Sequence, residues 1–143
     1  MSGNELILNY YVTELLSVKQ AYVKNRHIIA KPILLISTFD AIEQDLLCNN
    51  RFEYDVLYDQ YKSNMDYYGE ITPMQYPFYF MSSDGFWHLK WKKEPIKKKS
   101  PSAKFVRDNI EYAYFDNALW DLLQDPKNRQ KLRETLVTHF LTR

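Results

Sequence analysis

The chain has 143 residues, 45% of them hydrophobic and 26% charged, a balance typical of one globular domain with a buried core. Three glycines are too few for an all-β fold with many tight turns, so the composition favours helices joined by polar loops. The net charge of +1 indicates no partner by itself, and the single cysteine, Cys48, excludes an intrachain disulfide and favours a reducing compartment such as the cytoplasm.

The first half of the chain carries the periodicity of helices. Residues 4–23 are predicted to form an amphipathic helix capped by Asn4. A basic connector follows, and Pro32 then suits the first turn of a helix that is apolar almost all round. Such a pattern is typical of a central buried helix. Residues 52–66 are predicted to form a third helix.

An aromatic segment, YPFYFMSSDGFWHLKWKK, occupies residues 76–93. Asp84 followed by Gly85 is a tight-turn signal, so the flanking stretches PFYFM and FWHLKW are predicted to form a β-hairpin. Residues 94–103 are predicted to be a basic loop, because prolines near both ends exclude regular structure and its lysines favour water. Among the aromatic residues of the hairpin, Phe86 and Trp87 are expected in the core.

Helices are predicted again in the last third of the chain. They cover residues 103–110 and 115–125, with Asp116 as a cap of the second, and a final helix has Pro126 in its first turn. The sequence therefore predicts a single domain over residues 1–143 that is mainly α with a small antiparallel β-hairpin. Helices followed by a hairpin and a basic loop are similar to winged-helix architecture.

Motifs for catalysis, metal binding and membrane insertion are missing from the sequence. Its three histidines lie far apart, without the spacing of a zinc site or of a His-Asn-His nuclease. Neither a phosphate-binding loop nor a nucleophile elbow occurs. No segment resembles a secretory signal, and no apolar run approaches the roughly 18 residues of a membrane span. We expect no catalytic residues, cofactor, metal or membrane contact in this chain alone.

Basic residues are concentrated after the predicted hairpin, whereas most of the compensating acids lie in residues 40–70. The basic group comprises Lys97, Lys98, Lys99, Lys104 and Arg107. Cationic side chains supply much of the affinity of proteins for DNA by neutralising phosphates. A solvated loop is the alternative explanation of the three-lysine run. Arg26 and His27 form a second basic connector that could converge on the same face.

Tyr76 and Pro77 form the other notable feature. Proline fixes its own φ and disfavours helical backbone at the preceding residue, so the pair is predicted to present a rigid apolar wall. Entry into an ordinary strand is the alternative explanation of the pair.

The order of several segments resembles a known family. A helix opening KPILLI, an acidic and aromatic helix, YPF followed by DGFW, then PSAKFVRDN and a closing THFL occur in that order over roughly residues 20–141. This order resembles the sulfur-binding domain of phosphorothioate-dependent, type IV restriction endonucleases, which carry a C-terminal HNH nuclease. No HNH motif occurs here. The chain is therefore either a recognition domain of a longer nuclease or a stand-alone reader of modified DNA.

The resemblance implies that the chain binds double-stranded DNA carrying phosphorothioate linkages, in modification-dependent restriction and prokaryotic host defence. An apolar surface cavity would surround the sulfur, with Tyr76 and Pro77 as its wall. Phe80 occupies by offset a position that is small in the family, which is a departure from the pattern. Further contacts to DNA are expected from basic residues, namely Arg26, His27, Lys31, Lys104 and Arg107, with weaker backbone contacts from Lys97, Lys98 and Lys99.

Other functions remain open at this point. A winged-helix regulator that ignores sulfur predicts equal affinity for modified and plain duplexes at matched salt. A helical protein-interaction domain predicts no DNA binding near physiological ionic strength. An attached HNH nuclease domain and a homodimer are both compatible with the sequence, and the base context that the chain would recognise is not specified.

Overall fold

Seven helices and four short strands make up the described residues, 3–142, of the computed structural model. In chain order the elements are α1 (Gly3–Leu16), β1 (Tyr22–Val23), β2 (Arg26–His27), α2 (Ala30–Glu43), α3 (Tyr54–Tyr68), α4 (Gln75–Phe80), β3 (Trp87–Trp91), α5 (Ala103–Asn109), β4 (Ile110–Phe115), α6 (Asn117–Leu123) and α7 (Pro126–Leu136). A 3-10 turn at Met81–Asp84 continues α4, and a π-helical turn at Val137–Leu141 continues α7. The predicted class, mainly α with a small antiparallel β part, is confirmed.

Helix α2 is the centre of the fold. All of its positions from Pro32 to Phe39 are buried, and it packs against α3 and α7. Two buried hydroxyls within it are satisfied locally, because Ser37 and Thr38 donate to the carbonyls four residues earlier at 2.7 and 2.8 Å. The prediction of a central buried helix is therefore confirmed.

Helix α1 is shorter than predicted. It ends at Leu16, and residues 22–27 form a two-stranded hairpin instead of the last helical turns. The hairpin turns at Lys24 and Asn25, whose φ angles of 53° and 63° are those of the two-residue turn that matches strand twist. Because Tyr22 is 61% exposed, there is no buried face to sustain the helix there.

The predicted hairpin at residues 76–93 is wrong in its pairing. PFYF belongs to helix α4, and the Asp84-Gly85 turn ends a 3-10 segment with Gly85 at φ 92°. Strand β3 pairs instead with β4, antiparallel, aligning Trp87 with Phe115. The strand signal was correct, but the partner lies beyond the basic loop and α5. Tyr76 is therefore helical. Pro77 is tolerated because the N–H groups of the first helical turn have no intrahelical acceptor, so a residue without an N–H loses no hydrogen bond there.

Aromatic rings fill the core beneath this sheet. The ring centroids of Phe52, Phe78 and Phe115 each lie 5.6 Å from that of Trp87 in tilted or edge-to-face contacts, the arrangement that aromatic rings prefer. The predicted burial of Phe86 and Trp87 is confirmed, since neither is exposed. No helix within residues 3–142 combines the length and apolar character needed to cross a lipid bilayer.

Candidate nucleic-acid interface

Helix α4 has two faces with different environments. Phe78 and Tyr79 point into the core, and the Trp87 indole N–H donates to the Phe78 carbonyl at 2.9 Å. On the opposite face, Tyr76, Pro77 and Phe80 line a cavity of about 340 Å³. Six residues thus build both a core contact and a surface cavity.

The other wall of the cavity comes from the chain between α1 and α2 and from the first turn of α2. It consists of Lys19, Gln20, Ala21, Ile28, Ala30 and Lys31, and Thr72 closes one side. This wall is held by hydrogen bonds, because the Ile28 N–H donates to the Ala21 carbonyl at 2.7 Å and the Gln20 amide donates to the Ile28 carbonyl at 3.1 Å. Most of the cavity surface is apolar, and Lys19 and Lys31 are the two cationic residues that line it.

Asp84 fixes both of those lysines. One carboxylate oxygen lies 2.6 Å from the Lys31 ammonium, and the other accepts from the Lys19 backbone N–H at 2.8 Å. The side chain of Asp84 is only 3% exposed and that of Lys31 14%. Asp84 thus ties the turn after α4 to the opposite wall of the cavity.

Arg26 and His27 lie on β2, directly before Ile28. Neither of them is among the described residues that line the cavity. Arg26 forms an ion pair with the buried carboxylate of Glu70, and this hydrogen bond raises the pKa of the guanidinium. The His27 ring contacts the Tyr22 ring edge-on, with centroids 4.9 Å apart.

Lys104 and Arg107 lie on α5, outside the cavity. Lys104 forms an exposed ion pair with Asp108 one turn later. Arg107 donates to Asp55 at 2.8 Å, which raises the pKa of Arg107, and its guanidinium lies 5.0 Å from the centre of the Tyr54 ring. Arg107 also lines a second cavity, of about 460 Å³, on the other side of the segment that precedes α4.

The basic loop is attached to α4 through tyrosines. The Tyr79 hydroxyl donates to the Ile96 carbonyl at 3.0 Å and accepts from the Lys98 N–H at 2.8 Å. Near the end of the loop, the Ser100 hydroxyl lies 3.4 Å from the hydroxyl of Tyr76, a cavity residue. No carboxylate in the described part of the chain lies within ion-pair distance of residues 97–99.

Only some of the residues proposed from the sequence lie together in the structure. Lys31, Tyr76, Pro77 and Phe80 surround one cavity. The other basic residues lie on β2, on α5 and in the loop, and none of them lines this cavity. Sequence reasoning missed the wall at Lys19–Ala21 and the roles of Asp84 and Tyr79. Their partners lie too far along the chain for a local pattern to indicate them.

Comparisons with known proteins place the fold. No family model and no curated protein matches the sequence. The sulfur binding domain of ScoMcrA, solved in complex with phosphorothioated DNA, superposes with a TM-score of 0.73 at 16% identity, over 91% of this chain and 86% of that one. This chain has the sulfur binding domain fold. The resemblance inferred from the order of the sequence segments is thereby confirmed.

Two longer structures share the sulfur binding domain fold. One contains the sulfur binding and SRA domains of ScoMcrA with phosphorothioated DNA, at a TM-score of 0.75 and 15% identity over 91% of this chain and 42% of that one. The other is the type IV phosphorothioation-dependent restriction endonuclease ScoMcrA, at a TM-score of 0.71 and 15% identity over 90% and 29%. This chain thus spans less than a third of that endonuclease.

Proposed function

We propose that this chain binds duplex DNA at a phosphorothioate linkage, with the sulfur atom in the cavity formed by Tyr76, Pro77 and Phe80. The observation that carries the proposal is this apolar cavity beside Lys31, in a chain whose fold matches a domain complexed with phosphorothioated DNA. Phe80 lines the cavity together with Tyr76 and Pro77, so the sulfur atom would meet an apolar wall on the α4 side.

Hydration explains how such a cavity would select sulfur. A phosphate oxygen is strongly hydrated, and an apolar wall offers it no hydrogen bond in exchange for water. Sulfur is larger, more polarisable and less strongly hydrated, so its transfer to the cavity costs less. An unpaired buried polar group costs about 1–3 kcal/mol, which corresponds to roughly a 5- to 150-fold preference for the modified linkage.

Lys31 and the loop lysines would have different roles in DNA binding. Lys31 is held by Asp84, so it serves to position a phosphate at the cavity mouth more than to add net attraction. Lys97, Lys98 and Lys99 have no carboxylate partner among the described residues and are exposed. They would supply most of the non-specific attraction by displacing counterions from DNA.

We further propose that this chain supplies recognition and that cleavage belongs to a separate nuclease, such as an HNH domain, in the cytoplasm. What supports a separate nuclease is the fold match to a longer restriction endonuclease, of which this chain spans 29%. A homodimer stays a prediction that sedimentation of the free chain and of the DNA complex would test.

The decisive experiment compares duplexes with and without a single Sp phosphorothioate at one fixed salt concentration, with the Rp isomer as a stereochemical control. We expect tighter binding to the Sp duplex, and Tyr76→Ala should reduce that preference because the cavity loses a wall. Tyr67→Ala is the matched control, since Tyr67 is 80% exposed on α3 and lines neither cavity.

Two results would overturn the proposal. Equal affinity of the wild-type chain for all duplexes would indicate a DNA-binding domain without sulfur preference. Absence of binding near physiological ionic strength would instead favour a helical protein-interaction domain. An unchanged sulfur preference in Tyr76→Ala would remove the cavity assignment alone.

A further inference from the structure

Ile71 is an apolar side chain held out into solvent. It is 89% exposed, more than any other large hydrophobic side chain in residues 3–142. It lies in the six-residue segment between α3 and α4, one position before Thr72. A single exposed isoleucine is ordinary on a protein surface, so the argument depends on what holds this one and on what surrounds it.

The backbone on both sides of Ile71 is fixed. Before it, the buried Glu70 carboxylate binds Arg26 of the β1–β2 hairpin. After it, the Thr72 carbonyl accepts from the buried Tyr61 hydroxyl at 2.7 Å. Because both neighbours are anchored inward, Ile71 cannot turn into the core without breaking these contacts. A segment whose backbone is already ordered loses little backbone conformational entropy when it binds a partner.

The position of Ile71 relates it to the proposed DNA site. Thr72 lines both cavities, so this segment is the ridge that separates them. Ile71 lines the second cavity together with Arg107, and Arg26 is bound to the preceding residue. Both guanidinium groups are ion-paired, Arg26 with Glu70 and Arg107 with Asp55, so the charge beside the ridge is largely balanced. What relates Ile71 to DNA is that its neighbour, Thr72, lines the cavity proposed to hold the sulfur.

We propose that Ile71 contacts bases next to the modified linkage and makes binding depend on the sequence there, a claim that rests on the proposed function. Contacts to phosphates position a protein without reading sequence. Apolar side chains read it, either by touching the thymine methyl group in the major groove or by wedging between base pairs in the minor groove. Ile71 would thus add base preference to a domain whose other contacts lie on the backbone.

The test measures the affinity of the wild-type chain and of Ile71→Ser for a panel of Sp-phosphorothioate duplexes that vary the base pairs on either side of the linkage. Loss of a buried isoleucine contact should weaken binding about tenfold in the context that the wild type prefers, and less in the others. The sulfur preference, measured against plain duplexes, should stay unchanged. Leu46→Ser is the matched control, because Leu46 is 49% exposed and lines neither cavity.

The outcomes separate this inference from the proposed function. If the wild type prefers sulfur but Ile71→Ser binds every context as the wild type does, or loses affinity equally in all of them, the inference is wrong and the function stands. If the wild type shows no sulfur preference, the proposed function fails first. When the loss depends on context, replacing thymine by uracil in the preferred duplex tells a methyl contact, which it would abolish, from a wedge, which it would leave.

Discussion

Replacing Asp84 by alanine tests whether one buried carboxylate holds the two walls of the cavity together. The substitution removes a charged contact to Lys31 at 2.6 Å and a hydrogen bond to the Lys19 backbone at 2.8 Å. It also leaves the Lys31 ammonium, 14% exposed, without its counterion. Breaking a buried ion pair from one side costs about 3–5 kcal/mol, a large part of the roughly 5–15 kcal/mol that stabilises a domain.

Urea unfolding monitored by tryptophan fluorescence measures this cost. We expect the midpoint for Asp84→Ala to fall by about 2 M, given the usual dependence of stability on urea for a small domain. Lys31→Met should also destabilise, and the double variant should be more stable than the sum of the two losses predicts, by at least about 1.5 kcal/mol. Asp66→Ala is the control, because its ion pair with Lys62 is exposed on both sides and should contribute under about 0.5 kcal/mol.

A specific result would refute this reasoning. If the free energy of unfolding of Asp84→Ala lies within about 0.5 kcal/mol of the wild-type value, as that of the exposed control should, the carboxylate does not hold the cavity walls together. Strict additivity of the two single variants would mean that Lys31 and Asp84 do not stabilise each other, whatever the distance between them.

Two more predictions concern the loop and alkaline pH. Replacing residues 97–99 by glutamine should weaken binding to sulfur-modified and plain duplexes alike and reduce the slope of log affinity against log salt by up to about 2.7. Lys104 is already ion-paired, so Lys104→Ala should change that slope by less than about 0.9. An unchanged slope for the triple variant would place the loop away from DNA. Burial raises the pKa of Tyr54 to about 12, so the folded state retains a proton that the unfolded chain loses above about pH 10. Stability should therefore fall by about 1.4 kcal/mol per pH unit as the pH rises from about 10 to about 12, and Tyr54→Phe should remove that part of the slope in urea titrations; an identical slope in the variant would contradict it.

Elements with a strong local pattern could be predicted from the sequence. Helix α2 is apolar almost all round, and α7 begins at a proline, so neither depends on distant partners for its assignment. The pairing of β3 could not be predicted in this way. Aromatic residues and an Asp-Gly turn favour a local hairpin, whereas the true partner, β4, lies beyond a loop and a helix. PFYF became a helix because burying Phe78 and Tyr79 on one face outweighed their strand preference.

The same distinction holds for the candidate site. Tyr76, Pro77 and Phe80 were expected around a cavity from the family resemblance, with Tyr76 in extended backbone. They do line one cavity, but from a short helix. Asp84 meets Lys19 across 65 positions and Lys31 across 53. Contacts at such separations leave no local periodicity in the sequence. The sequence pattern identified Asp84 only as part of a tight turn.

On the proposed function, selectivity for sulfur would depend on the core as well as on the cavity wall. The penalty against oxygen exists only while the cavity stays dry and keeps its shape, because a wall that moved would let water accompany the oxygen. Helix α4 supplies that wall, and its position is set from inside by the Trp87 indole, which donates to the Phe78 carbonyl. Tyr79 on the same helix holds the basic loop. The aromatic residues beneath α4 would therefore keep cavity and cations in register, which explains why so many rings lie next to the lysines.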